Sequence, residues 1–192
     1  MRNILLAGLV TRTGASAAYA QPGGPPPQAV IAQQAEAMKP LAWMNGRWQG
    51  PAWSMLPTGK HEITQTERIG PMLDGSIKVM EGKSFEADGR PAAFNAFGVM
   101  SYDAATKSYA LHSYAQGRAG TFPLEVTLNG YMWAIQAGPV KIRYTAMLEG
   151  GTWTETGEML RDGAPPNKIF EMKLHRVADT DWPLAGQATA PR

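Results

Sequence analysis

Three glutamates are the side chains in this sequence whose placement could do chemistry. Glu67 shares a period-two face with Ile63 and Ile69, Glu81 with Ile77 and Val79, and Glu155 with Trp153. Residues two apart on a strand point the same way, so each carboxylate stands on a side that is otherwise apolar. If those faces turn inward, three carboxyl groups enter poorly solvated space, where each must pair or hold a proton. Gln65 and Arg143 are the natural partners, although alternation sets Arg143 opposite Ile142 and Tyr144. Trp133, on the alternating face of Tyr131 and Ile135, adds an aromatic ring with one N–H donor. Such a set suits a polar anchor for a ligand head group; the alternative is a structural ion pair or an outward face.

Other chemistries find less support. The chain has no cysteine, which removes thiolate catalysis, thiolate metal ligands and disulfides. Its histidines, His61, His112 and His175, form no H-x-H or H-E-x-x-H pattern, so no metal site is expected. Asp74-Gly75, Asp88-Gly89 and Asp162-Gly163 read as turns rather than calcium loops. A nucleophile elbow, a phosphate loop and a dinucleotide fingerprint are all missing, so no catalytic residue is assigned.

The elements that must position the glutamates follow from the rest of the chain. Its 192 residues suit one domain with a real core, and 44% hydrophobic against 18% charged residues is an ordinary globular balance. Arg2, the apolar run Ile4 to Val10 and the small residues ending Ala18-Tyr19-Ala20 predict a signal peptide over 1–20, cleaved after Ala20, and hence a periplasmic or secreted protein. Arg2 and Arg12 are the only charged residues before Gln21, so the net charge of +2 belongs to that leader and the remainder is neutral. A neutral domain without a basic cluster lacks the electrostatic footprint of nucleic-acid binding. No later stretch has the ~20 apolar residues of a membrane span.

Residues 21–40 are expected to form a proline-rich spacer and a short helix, Gln28 to Met38, with Ile31, Ala35 and Met38 on one face and Pro40 as its stop. From Ala178 to Arg192 small residues and proline predict a disordered tail. Between them, over 41–177, the period is two. Phe94-Ala96-Gly98-Met100-Tyr102, Tyr131-Trp133-Ile135 and Phe170-Met172-Leu174 alternate, with turn signals such as Asn129-Gly130 and Gly150-Gly151 between the runs. About ten strands at hairpin spacing predict an all-β fold, an antiparallel up-and-down barrel with a short N-terminal helix. Closing the sheet removes its edges and encloses a lumen, either filled by the chain's own side chains or open to a small ligand.

Gly46-x-Trp48, at the start of the first strand after a short helix, resembles the G-x-W signature of lipocalin and nitrobindin-like calycin barrels. Gly70-Pro71-Met72-Leu73-Asp74-Gly75, Glu81-Gly82, Tyr102-Asp103, Arg143-Tyr144-Thr145, Trp153-Thr154-Glu155 and Phe170-Glu171-Met172 resemble a bacterial family of exported calycin-like proteins without assigned function. The resemblance implies that Trp48 closes the barrel floor and that Arg176 lies across it, a structural G-x-W floor of Gly46, Trp48 and Arg176. It also raises haem as a cofactor, since nitrobindin-like barrels hold haem through one histidine. His175 is then the candidate, yet alternation puts it on the Glu171-Lys173 face, opposite Phe170-Met172-Leu174. Three expectations result: a carrier of a small, mostly apolar molecule without a fixed cofactor, a haem protein, or an enzyme using lumenal carboxylates.

Overall fold

A computed structural model describes residues 26–182. The expected signal peptide, most of the spacer and the end of the tail lie outside the described residues.

Ten strands form one closed antiparallel barrel: β1 (Gly46–Leu56), β2 (Gly59–Met72), β3 (Ile77–Phe85), β4 (Pro91–Asp103), β5 (Ser108–Ala115), β6 (Arg118–Thr127), β7 (Gly130–Ala137), β8 (Val140–Glu149), β9 (Thr152–Leu160) and β10 (Asn167–Ala178). Each strand pairs with the next, and β1 pairs with β10 to close the ring. The order is thus the up-and-down meander that short turns between alternating runs dictate.

The register sorts side chains into two sets, because cross-strand partners share a face. Trp48 pairs with Glu67, Glu67 with Gly82, Gly82 with Ala96 and Ala96 with Ala115. On the far side Tyr131 pairs with Ala146, Ala146 with Glu155 and Glu155 with Met172. These rows face the lumen.

The two ends of the barrel differ. One receives α1 (Pro27–Ala37) and a short 3-10 segment, Lys39–Met44, whose Leu41 and Met44 are completely buried. The sequence explains the plug: Pro40 halts the α-helix, and Leu41, Trp43 and Met44 are apolar residues that need a core. The helix docks by polar bonds rather than by the expected apolar face. Ile31 is exposed, while Gln34 Nε2 donates to the Tyr102 carbonyl and the Tyr109 hydroxyl donates to the Ala37 carbonyl. Only Met38, at its C-terminal end, enters the core.

At the other end no plug exists among the described residues. Around the plugged end the inward Ile69, Met100, Leu111, Leu124 and Leu174 are buried, whereas toward the opposite rim Ile63, Phe122, Ile135, Ile142 and Met159 are only half-buried. The inward side chains are therefore fully packed below and only partly covered above.

The tail departs from expectation. Strand β10 runs to Ala178, and the next residues fold back over the outside of β2. Arg68 Nε donates to Asp181 at 2.7 Å, its guanidinium lies 4.3 Å from the Trp182 ring centre, and Phe97 meets the same ring at 6.3 Å. Gly70 permits this crossing, since a Cβ there would stand 2.6 Å from Thr180 Oγ1 and 2.7 Å from Trp182 Cβ. The start of the expected disordered tail is thus held by a cation–π contact and an ion pair.

Candidate functional site

Glu67 and Glu155 enter the lumen from β2 and β9, at the boundary between the packed and the open halves. Gln65 Nε2 donates to Glu67 Oε1 at 2.8 Å. The carboxyl of Glu67 lies over Gly82, where a Cβ would approach that oxygen to 2.6 Å, so the glycine leaves the space that the acid fills. Glu155 is better satisfied: the Tyr131 hydroxyl donates to its Oε2 at 2.7 Å and Trp133 Nε1 to its Oε1 at 3.3 Å.

Enclosure makes both acids hard to ionise. Burial pushes the Glu67 carboxyl up to about 8, with Gln65 working the other way and the charge of Glu155 adding to the rise. Glu155 is also raised by burial, and here the Tyr131 and Trp133 donors oppose the shift by favouring the anion. The Tyr131 hydroxyl is held well above its usual range by burial first and then by the charges of Glu155 and Glu67. Each of the three groups thus lies within electrostatic reach of the other two. Glu67, although surrounded by protein, keeps some accessible surface. Glu67 has inward parity, so that surface lies on the lumenal side.

Above the acids stands a wall of rings. Trp133 and Tyr144 stack with centres 4.5 Å apart and planes 13° from parallel. Phe122 leans on Trp133 at 5.2 Å, and Phe170 meets Tyr144 edge-on at 6.1 Å. Gly157 makes the second contact possible, because a Cβ there would lie 2.9 Å from Tyr144 and 3.0 Å from Phe170. All four rings are half-buried on the open side.

Below the acids the floor is also aromatic. Trp43 from the plug stacks on Tyr131 at 6.4 Å and meets Trp48 and Trp153 edge-on at 6.5 and 5.5 Å. Trp48 Nε1 donates to the Met44 carbonyl at 2.8 Å. The Arg176 guanidinium lies 5.0 Å from the Trp48 ring centre and donates to the Trp43 carbonyl at 2.8 Å. Gly46 has φ +144, and a Cβ would stand 3.0 Å from the Ala178 carbonyl oxygen and 3.4 Å from Arg176, so this position of the G-x-W trio needs glycine twice over. The structure thus brings Gly46, Trp48 and Arg176 together as one floor.

Two sequence expectations are corrected. Glu81 faces outward, bonded to Lys83 at 2.8 Å and 4.0 Å from Arg68. The apolar Ile77 and Val79 that suggested an inward face are themselves outside. Val79 is 6% exposed there and is the cross-strand partner of Gly70, over which the tail passes. Arg143 is no partner of the lumenal acids, for it also points outward and donates to Glu158 at 2.7 Å. The sequence reading did not single out Tyr131, Tyr144 and Phe122 as site residues. Tyr131 sits two positions before Trp133, so the alternation that flagged the tryptophan was signal enough for the tyrosine.

Haem ligation by His175 does not fit. That residue faces outward and is exposed, 3.5 Å from the Thr152 hydroxyl. His112 is also outside, between the Ser101 and Thr121 hydroxyls. His61 has inward parity but stands at the open rim, 3.1 Å from Glu86. Among the described residues no group of three or more His, Cys, Asp or Glu could hold a metal ion.

No protein-family model matches the chain, and no curated protein matches it significantly. Solved structures do match, 16 chains in all. One is the crystal structure of Rv2717c from M. tuberculosis, with a TM-score of 0.54 and 16% identity over 73% of this chain and 96% of that one. The likeness is one of fold. Nearly the whole of Rv2717c is covered. No helix among the described residues is long and apolar enough to cross a membrane.

Proposed function

We propose that this protein is a binder or carrier of a small, mostly apolar molecule, held in the open half of a calycin-like barrel and exported to the periplasm or beyond. The observation that carries the reading is the gradient of exposure along the inward face. Side chains of the same character are fully packed around Trp48 and Trp153 but half-exposed around Trp133 and Tyr144. A barrel that needed its lumen only for stability would gain by filling it, at ~25 cal/mol per Å² of apolar surface removed from water. A lined upper half whose side chains stay partly exposed suits a guest, and the few polar groups at its base suit orientation of that guest.

The test uses a neutral apolar fluorophore, N-phenyl-1-naphthylamine, whose emission rises when it leaves water. The reading requires a saturable rise with the wild-type protein, lost in Ile142→Glu, which puts a charge on the inner wall, and kept in Tyr114→Glu on the outer face. Equal signals from the two variants, or none from the wild type, refute it.

A further inference from the structure

Building on the carrier reading, we propose that the lumen selects an organic ammonium: an amine or quaternary ammonium with an apolar body, its cationic head seated on Glu67 and Glu155 and its body among Trp133, Tyr144, Phe122 and Phe170. Three independent features of the site converge on this class.

The first is a charge imbalance. The cations on the inward parity all lie elsewhere. Lys78 sits at the floor and donates to Asn45, Arg176 lies against Trp48, and His61 and Arg118 stand at the open rim. Neighbouring arginines are also engaged outside, Arg143 with Glu158 and Arg68 with Asp181. Two carboxyl groups therefore share the lumen with neutral donors only.

The second is an unfilled acceptor. Glu67 Oε1 receives Gln65, while Oε2 receives no hydrogen bond among the described residues, and the acid keeps surface toward the lumen. Once Glu67 is ionised, an anionic ligand would be repelled here. A divalent metal would find too few ligands, since two carboxylates are the whole acidic complement of this part of the lumen.

The third is the ring wall. A cation is attracted to an aromatic face within about 6 Å of its centre, and the attraction grows where water is excluded. Trp133 and Tyr144 stack on one another, so each presents only its remaining surface, and with Phe122 and Phe170 they line the side of the lumen where Trp133 also reaches Glu155. Carboxylates below and rings above are complementary to an alkylammonium, whose charge is spread over apolar carbon.

Binding must exchange a proton for the ligand charge. The ammonium pairs with the Glu67 carboxylate, and the proton held by that acid in the empty barrel leaves to solvent. The titratable groups that act on Glu67 are Glu155 on β9, Tyr131 on β7 and, outside on β3, Glu81 paired to Lys83 and Arg68, while Tyr144 on β8 is coupled to Glu155. Since burial pushes Glu67 up to about 8, ammonium affinity should rise with pH and level off near that value.

Isothermal titration with three probes of one chain length, octylammonium, 1-octanol and octanoate, decides the matter. At pH 8.5 octylammonium should bind at least about tenfold more tightly than 1-octanol, with octanoate weakest. At pH 6 that preference should shrink, Glu67→Gln should erase it, and Tyr114→Glu on the outer face should keep it. If 1-octanol or octanoate binds as well as the ammonium at pH 8.5, the ammonium assignment is wrong and the apolar carrier stands. If none of the three binds, both fall. Should Glu67→Gln fail to fold, the pH series on the wild-type protein decides alone, and a preference that does not grow with pH overturns the proposal.

Discussion

Replacing Glu67 by Gln should stabilise the empty protein at alkaline pH and do almost nothing near pH 5. In the folded chain its carboxyl is pushed from 4.5 up to about 8, so the native state holds this proton more tightly than the unfolded chain does. A raised value means stability that is complete at low pH and is lost as pH climbs through the window from about 4.5 to about 8. Each pH unit in that window costs ~1.4 kcal/mol, giving a ceiling of about 5 kcal/mol once the group is ionised. Water in the open half solvates part of the carboxylate, so a loss of ~2–4 kcal/mol is the working figure. Gln keeps the bond from Gln65 and the fit over Gly82 but cannot ionise. Urea unfolding of both proteins at pH 5 and pH 8 should show a gap that opens with pH. Glu155 slopes the wild-type curve the same way but is common to both proteins and cancels in the difference. Lys78, pushed down to about 8 by burial, acts only above that pH and in the opposite sense, because the folded state then loses its proton first. A variant less stable than wild type at both pH values would refute the reasoning, for it would mean that the carboxylate is ionised and paired.

Other expectations can be checked by simpler means. Trp48→Ala should cost ~3–5 kcal/mol in chemical unfolding, and its effect should be non-additive with that of Arg176→Ala because the groups touch. Strict additivity would remove the contact from the account. Gly50→Ala should be among the most damaging small substitutions in the chain, since a Cβ at Gly50 would lie 2.0 Å from the Lys173 carbonyl oxygen across the β1–β10 seam. An unfolding midpoint equal to that of wild type would show that the seam is looser than described. N-terminal sequencing of fractionated cells should find the mature chain beginning at Gln21. A cytoplasmic protein that retains Met1 would end the export claim.

Most of the barrel was legible because period-two alternation and turn residues are local signals that the fold does not override. The inward faces of Phe94 to Tyr102, Tyr131 to Ile135 and Phe170 to Leu174 follow from sequence alone. Of the acids, Glu67 and Glu155 share their faces with residues that do turn inward. Glu81 misled because Val79 is buried on the outer face, beside Gly70 where the tail returns, and that return joins positions about a hundred residues apart. The open upper half was not legible either. It depends on which rim receives the plug, and nothing local in the strands records that choice. Nor does hydrophobicity distinguish Trp153, completely packed, from Trp133, which stays partly exposed.

Nine of the ten strand pairings join neighbours in sequence; the tenth joins the first strand to the last. The nine can form as hairpins while the chain is still short, at little loop-closure cost. The seam cannot, because Gly46 must wait for residues more than a hundred positions away. A partial chain that stops before Asn167 has β1 and β9 as bare edges, each a template for another chain. Folding speed and susceptibility to aggregation should therefore both be governed by the time β10 takes to arrive, as expected for a topology whose decisive contact is its longest.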